Sequence, residues 1–337
     1  MIGKTVRFAV AALAIWAVRG DAQPVGVPRP FGAPEKQIDI GAAAAPLSDA
    51  ERTDLDKAVR KHDYGAEKAV IDRARAEHPE SFDLLIVWGR LAYLEKQPKD
   101  AVDALERADK IKALSEPDRM TLAIAYEFSE KPEQSRAELL KLAKLAPTNA
   151  QYLYLLGRMD RTDLLIEEAL DDFTRTIRID PNFVRAYEEL GQIQEALGHK
   201  DEARKTYATG AAINRRLSVH WEWPPLDLGI VFLRDLDFAE AEKLFREALQ
   251  YNPRFAWGHY YMGQLFYKQD RNREAIDEYK AAVVDDPQLR QAWFALGQEF
   301  KYQGKEVEAN RALAIFQKLE DQQNAAERRK YSLSPRR

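Results

Sequence analysis

The chain has 337 residues, of which 45% are hydrophobic, enough for a large core or an extended array. It contains no cysteine, which excludes disulfides and thiolate chemistry, and its formal charge of −4 gives no general attraction for nucleic acid or an anionic membrane surface. Beyond the amino terminus, no apolar run approaches the length needed to cross a bilayer.

Met1 to Ala22 has the order of a secretory leader. Lys4 and Arg7 precede the apolar run Phe8–Val18, and Gly20-Asp21-Ala22 offers small residues where a leader peptidase reads. Cleavage is expected near Ala22, placing the mature chain in the periplasm or outside the cell, with no transmembrane span left. Removing Lys4, Arg7, Arg19 and Asp21 takes the formal charge to about −6. Residues 23–48 follow with Pro24, Pro28, Pro30, Pro34 and Pro46 among glycines, and the composition predicts an extended linker.

Helical periodicity begins near Leu55. A degenerate first helix pair runs through Leu55, Val59, Ala66, Ala69, Val70 and Ala76 to Pro79 and reads as a cap. The second carries Leu85, Trp88-Gly89 and Ala92, then Ala101, Leu105 and Ala108. The third is read through Ile124-Ala125, Phe128, Ala137, Lys141 and Lys144 to Pro147, with polar residues where packing residues are expected. The fourth runs through Leu156-Gly157, Ala169 and Phe173 to Pro181, and the fifth through Leu190-Gly191, Ala203 and Tyr207. At Leu217–Pro225 the phase slips, because Gly229 follows Gly191 at a longer interval than the one separating Pro181 from Pro147. That insertion predicts a bend or projecting loop and not a new domain.

The last three pairs keep strict phase. Leu228-Gly229, Phe232, Ala241, Phe245 and Ala248 recur one period later as Met262-Gly263, Phe266, Ala275, Tyr279 and Ala282, and after another period as Leu296-Gly297, Phe300, Ala309, Leu313 and Phe316. Pro253 recurs as Pro287 at the same interval. Small residues mark where two helix backbones approach, aromatics fill the space beside them, and proline stops the second helix.

This 34-residue pattern resembles the tetratricopeptide repeat (TPR) family. The resemblance covers most of residues 50–320 and implies an all-α, right-handed superhelical solenoid of about eight helix pairs, here residues 49–323. A basic tail, 324–337, follows with Arg328-Arg329-Lys330 and Arg336-Arg337.

The family resemblance further implies an inner surface lined by the first helix of each pair and able to hold an extended peptide or a partner helix. Counting by phase places Trp257, Tyr260, Gln264 and Tyr267 there in the seventh pair, Gln291, Phe294, Gln298 and Lys301 in the eighth, and Trp223, Leu226, Ile230 and Leu233 in the sixth. Toward the amino terminus the same surface is expected to be basic, through Arg90, Arg119, Arg158 and Arg161. Each aromatic also has a reading as core. Some relatives capture a carboxylate with a Lys and Asn clamp, but Leu226, Ile230, Tyr260, Gln264, Phe294 and Gln298 occupy those positions here, so that property is not carried over.

No catalytic constellation is visible. His220 and Glu222 are the nearest pair that could hold a metal or move a proton, and they stand between tryptophans and prolines that favour a packed loop. Ser218 lacks the strand-turn-helix context of an activated serine. The sequence therefore predicts a non-catalytic protein-protein interaction scaffold of the bacterial cell envelope, without a cofactor. The alternative is a glycan-binding accessory of envelope polysaccharide biosynthesis or export, its sugars stacked on the same aromatic faces.

Overall fold

The structure is a computed structural model that describes residues 47–61 and 63–333. The expected leader and almost all of the linker lie outside the described residues. Sixteen helices and no strand are found among the described residues. They form eight pairs: α1 Asp49–Arg60 with α2 Tyr64–Glu77, α3 Phe82–Leu94 with α4 Pro98–Ile111, α5 Glu116–Phe128 with α6 Pro132–Leu145, and α7 Ala150–Thr162 with α8 Ile166–Ile179. The second half holds α9 Val184–Ala196 with α10 Lys200–Asn214, α11 Trp223–Arg234 with α12 Phe238–Tyr251, α13 Ala256–Lys268 with α14 Asn272–Asp285, and α15 Arg290–Tyr302 with α16 Glu306–Leu333.

The pairs fall into two compact units, an amino-terminal one ending at Ile179 and a carboxy-terminal one starting at Asp180. Within each unit the second helix of a pair packs on the first helix of the next, so that the all-α repeat solenoid builds by neighbour contacts. One column runs through both halves. Gly89 faces Leu105, Gly157 faces Phe173, Gly191 faces Tyr207, Gly229 faces Phe245, and Gly297 faces Leu313, each glycine lying against a side chain at the same offset along the paired helix. A Cβ at these glycines would press into that side chain, so the small residue is what lets the paired helices close.

The same column corrects the register of the third pair. Ala123, one period from both Gly89 and Gly157, is the small residue, and Tyr126, Ser135, Leu139 and Leu142 are the buried partners. Phe128 and Ala137, expected inside, are exposed, because the true phase lies two residues earlier. In the first pair the buried face of α2 is Val70, Ile71 and Ala74, while Ala69 and Ala76 face solvent. Leu47, expected in the linker, packs with Leu55 and Ile71, and Ser48 caps α1 in a reciprocal box with Glu51. At the other end α16 continues to Leu333, past the expected start of the tail, since the run Ala325 to Leu333 contains strong helix formers and no glycine or proline.

Each pair from the second to the eighth turns on a residue in the left-handed region: Lys96, Glu130, Leu164, Gly198, Leu236, Asp270 and Gly304, all at one fixed offset from the small residue of the column. The following N–H closes back on the first helix, as from Asp237 to Phe232 O at 2.9 Å and from Arg271 to Phe266 O at 2.9 Å. This is a Schellman closure, usually made with glycine, and here mostly made without it.

The phase slip forms a loop inside the carboxy-terminal unit, not a domain boundary. Fully buried Asn214 holds it: its Oδ1 accepts from the Trp221 amide at 2.9 Å, its Nδ2 donates to the Trp221 carbonyl at 2.8 Å, and its own carbonyl lies 2.8 Å from His220 Nδ1. Pro224 and Pro225 then occupy the first turn of α11, where missing amides cost nothing.

Candidate functional site

The first helices α11, α13 and α15 carry the densest aromatic surface of the carboxy-terminal unit. Trp257, Tyr260, Gln264 and Tyr267 recur at steps of three and four, so they share one face of α13. Trp257 meets Tyr260 edge-on at 5.7 Å, Tyr260 meets Tyr261 at 5.1 Å, and Tyr260 leans on Tyr279 at 6.0 Å. Trp257 and Tyr260 are half-buried against the core, while Tyr267 keeps 51% of its surface in solvent. On α15, Phe294 is 44% exposed although its ring packs on Phe316 at 5.1 Å. Gln264 is half-buried and Gln298 exposed, leaving amides between the rings. Trp223 opens this surface on α11, half-buried and edge-on to Phe255 at 4.9 Å.

Three expected contact residues, Leu226, Ile230 and Leu233, are core residues instead. Leu226 has 0% exposure and Ile230 is buried, both clustered with Phe255, Met262 and Phe266, so the α11 part of the surface reduces to Trp223. Tyr261 was not among the sequence candidates. It stacks between Trp257 at 6.1 Å and Phe245 at 6.0 Å, tying the exposed aromatics to the core.

The expected basic surface is also corrected. Arg119 is buried, its guanidinium bound to Glu138 at 2.5 Å and Asp109 at 2.7 Å, because the two-residue register shift of the third pair turns it inward. Arg90 donates to Asp118 at 2.6 Å. Arg158 is buried with its guanidinium 5.9 Å from the Tyr154 ring, and Arg161 is half-buried. These four do not make an open cationic groove.

Among the described residues, no group of three or more His, Asp or Glu side chains is placed to hold a metal ion. His220 stacks on Tyr251 at 4.7 Å, and Glu222 accepts from Asn252 Nδ2 at 3.1 Å, so this pair serves the loop and its neighbour helix. His259 bridges Glu278 at 2.7 Å and the Pro253 carbonyl at 3.2 Å, and the carboxylate raises its pKa above the ordinary imidazole value. No described helix is long and apolar enough to cross a membrane.

Sequence comparison matches family models described as tetratricopeptide repeat to residues 184–216, 226–290 and 260–326. Tetratricopeptide repeat protein 7A of Homo sapiens is 32% identical over 84 residues, covering 25% of this chain and 10% of that protein. Superkiller protein 3 of Schizosaccharomyces pombe is 23% identical over 181 residues, covering 50% of this chain and 12% of that protein. The chain thus spans only 10% to 15% of the length of the curated relatives it matches. A crystal structure of a tetratricopeptide repeat protein from Parabacteroides merdae aligns with TM-score 0.58 at 14% identity, over 74% of this chain and 98% of that one. The type IV pilus biogenesis factor PilW aligns with TM-score 0.52 at 16% identity, over 60% and 92%. The family-model matches, with one helix-pair phase kept on both sides of a single short insertion, identify residues 184–216 and 226–326 as tetratricopeptide repeats.

Proposed function

We propose that the protein is a non-catalytic scaffold of the bacterial cell envelope that binds an extended peptide or a partner helix along the first helices of its carboxy-terminal pairs. The observation that carries this reading is the line from Trp257 through Tyr260 and Tyr267 to Phe294, in which large rings retain exposed faces beside the amides of Gln264 and Gln298. Aromatic area with polar tips gives a partner both burial and orientation. Repeat arrays offer such surfaces to protein partners. The envelope setting rests on the basic, apolar and small-residue order of Met1 to Ala22.

The test is capture from envelope extracts on the mature chain, followed by titration of the captured partner against the parent and a Tyr260→Ala/Tyr267→Ala variant, with helicity checked in parallel. Loss of a true aromatic anchor costs at least about 2 kcal/mol, roughly thirtyfold in affinity. Unchanged affinity in the folded variant removes this face from partner binding. Capture of a glycan and no protein favours the polysaccharide alternative, and recovery of an intact chain beginning at Met1 rejects cleavage.

A further inference from the structure

Three first helices hold the loop before them through an aromatic ring. The Tyr187 hydroxyl lies 3.1 Å from the Pro181 carbonyl, His259 Nε2 lies 3.2 Å from the Pro253 carbonyl, and Trp293 Nε1 lies 3.0 Å from the Pro287 carbonyl, each ring six residues after its proline. A carbonyl only accepts and an indole only donates, so the ring is the donor in this column, and Nε2 of His259 carries a hydrogen there. Its other nitrogen is occupied as well. Nδ1 of His259 lies 2.7 Å from the Glu278 carboxylate on α14, and Asp285 Oδ2, at the end of the same helix, is 3.7 Å from Nε2.

A neutral imidazole has one N–H and cannot serve both acceptors. With the hydrogen on Nε2 it turns a lone pair toward the Glu278 carboxylate, and with the hydrogen on Nδ1 it leaves the Pro253 carbonyl without its donor. The imidazolium donates to both. The charged groups gathered at the ring are Glu278 and Asp285 from α14 and, from the loop, Arg254, whose guanidinium is bound to Asp285 at 3.0 Å. The bond to Glu278 raises the histidine above its ordinary pKa of 6.5, although burial opposes the charge. With 18% of its side chain accessible, the ring can exchange its proton with solvent. In the fifth and eighth pairs Thr206 and Ala312 stand where the seventh has Glu278, and neither a phenol nor an indole changes charge near neutrality.

We propose that His259 is a proton-operated latch of the seventh pair: charged, it ties α13 to α14 through Glu278 and to the preceding loop through Pro253, and neutral, it releases one of the two. Trp257 and Tyr260 flank it in the chain, so the latch acts on the helix that carries the exposed aromatic surface. The folded form holds this proton more tightly than the unfolded chain does. The stabilisation is therefore fully present below pH 6.5 and is lost as pH rises through the higher folded value.

The experiment follows the ring of His259 through a pH titration by NMR of the full chain, its signals assigned by through-bond correlation, in the parent and in Glu278→Gln. Urea midpoints of the parent, Glu278→Gln and His259→Gln are compared at about pH 6 and about pH 8.5. The expected result is a ring protonated on both nitrogens at about pH 6 that titrates above 6.5 in the folded parent and lower in Glu278→Gln. The parent's midpoint should fall more between the two pH values than that of either variant. A ring that titrates at or below 6.5, a titration unmoved by Glu278→Gln, or equal falls in parent and variants would overturn the latch. Should His259→Gln fail to fold, the ring titration and the midpoints of Glu278→Gln decide by the same criteria.

Discussion

The ring of Tyr279 lies so close over Gly263 that a methyl group on the glycine would come within 2.5 Å of Cε1. The contact joins the two helices of the seventh pair, and Ala275, also fully buried, belongs to the same core cluster as Tyr279. Gly263→Ala and Ala275→Leu are each expected to destabilise the protein by about 1–3 kcal/mol through overpacking, with the effect reaching the adjacent pairs. Urea denaturation followed by circular dichroism checks this. A curve for either variant that overlays the parent would mean that the ring can move aside.

The turn residue Leu236 offers a change of opposite sign. It holds φ of 63° with a bulky, solvent-exposed side chain, where the columns of the fifth and eighth pairs have Gly198 and Gly304. Leu236→Gly relieves the left-handed strain, which is worth about 1–2 kcal/mol, against a smaller loss from the greater freedom of glycine in the unfolded chain. The expected outcome is a small net gain in the denaturation midpoint, and Gly198→Ala should move it the other way.

Asp172 gives the amino-terminal unit a dependence on pH. Burial, and next the charge of Asp160, which is itself paired with Arg136 at 2.5 Å, push the Asp172 carboxyl up to about 6. Between its unfolded value of 3.8 and about 6, the folded chain keeps a proton that the unfolded chain has released. Stability from this group is therefore present at low pH, falls as pH rises through that window and is level above it. Asp172→Asn should remove this fall and leave the variant more stable than the parent near neutrality, by on the order of 2 kcal/mol. Midpoints compared at about pH 4 and about pH 7 decide it, and equal pH slopes in the two proteins would refute the assignment.

Asn214 should be the residue on which the inserted loop depends. Asn214→Leu removes both side-chain bonds to Trp221 and leaves the Trp221 amide and carbonyl unsatisfied, a cost of about 2–3 kcal/mol. Tryptophan fluorescence and a melting curve report the loop and the fold together. A variant with the parent's melting temperature would show that the loop closes without this clamp.

The helix pairs were legible because their landmarks are physical necessities: a residue small enough for close approach at Gly157 or Gly263, and a ring or branched side chain at a fixed offset on the paired helix to fill the gap. The third pair was misread because its landmarks are chemically disguised. Ser135 stands where its neighbours have alanine, and alanine replaces the column glycine itself, so only counting periods from Gly89 or Gly157 recovers Ala123. The left-handed turns were invisible for a related reason. Leucine at 164 and 236 carries no turn signal, and only alignment with Gly198 and Gly304 exposes that column. At the candidate face, periodicity placed Tyr267 and Phe294 on exposed positions, yet it could not separate Leu226 from them, since a core residue and a groove residue on one helical line look alike until the neighbouring helices are in place.

Within each unit, helices in substantial contact are immediate or next-but-one neighbours along the chain. Little loop entropy has to be surrendered before such contacts form, so folding can start in any well-built pair and spread like a zip in both directions. The pairs rich in column glycines and rings, such as α13 with α14, are the natural starting teeth. Pulled from its ends, such an array would surrender pair by pair, yielding at the pairs without a column glycine, α1 with α2 and α5 with α6, before it yields at Gly263 and Tyr279.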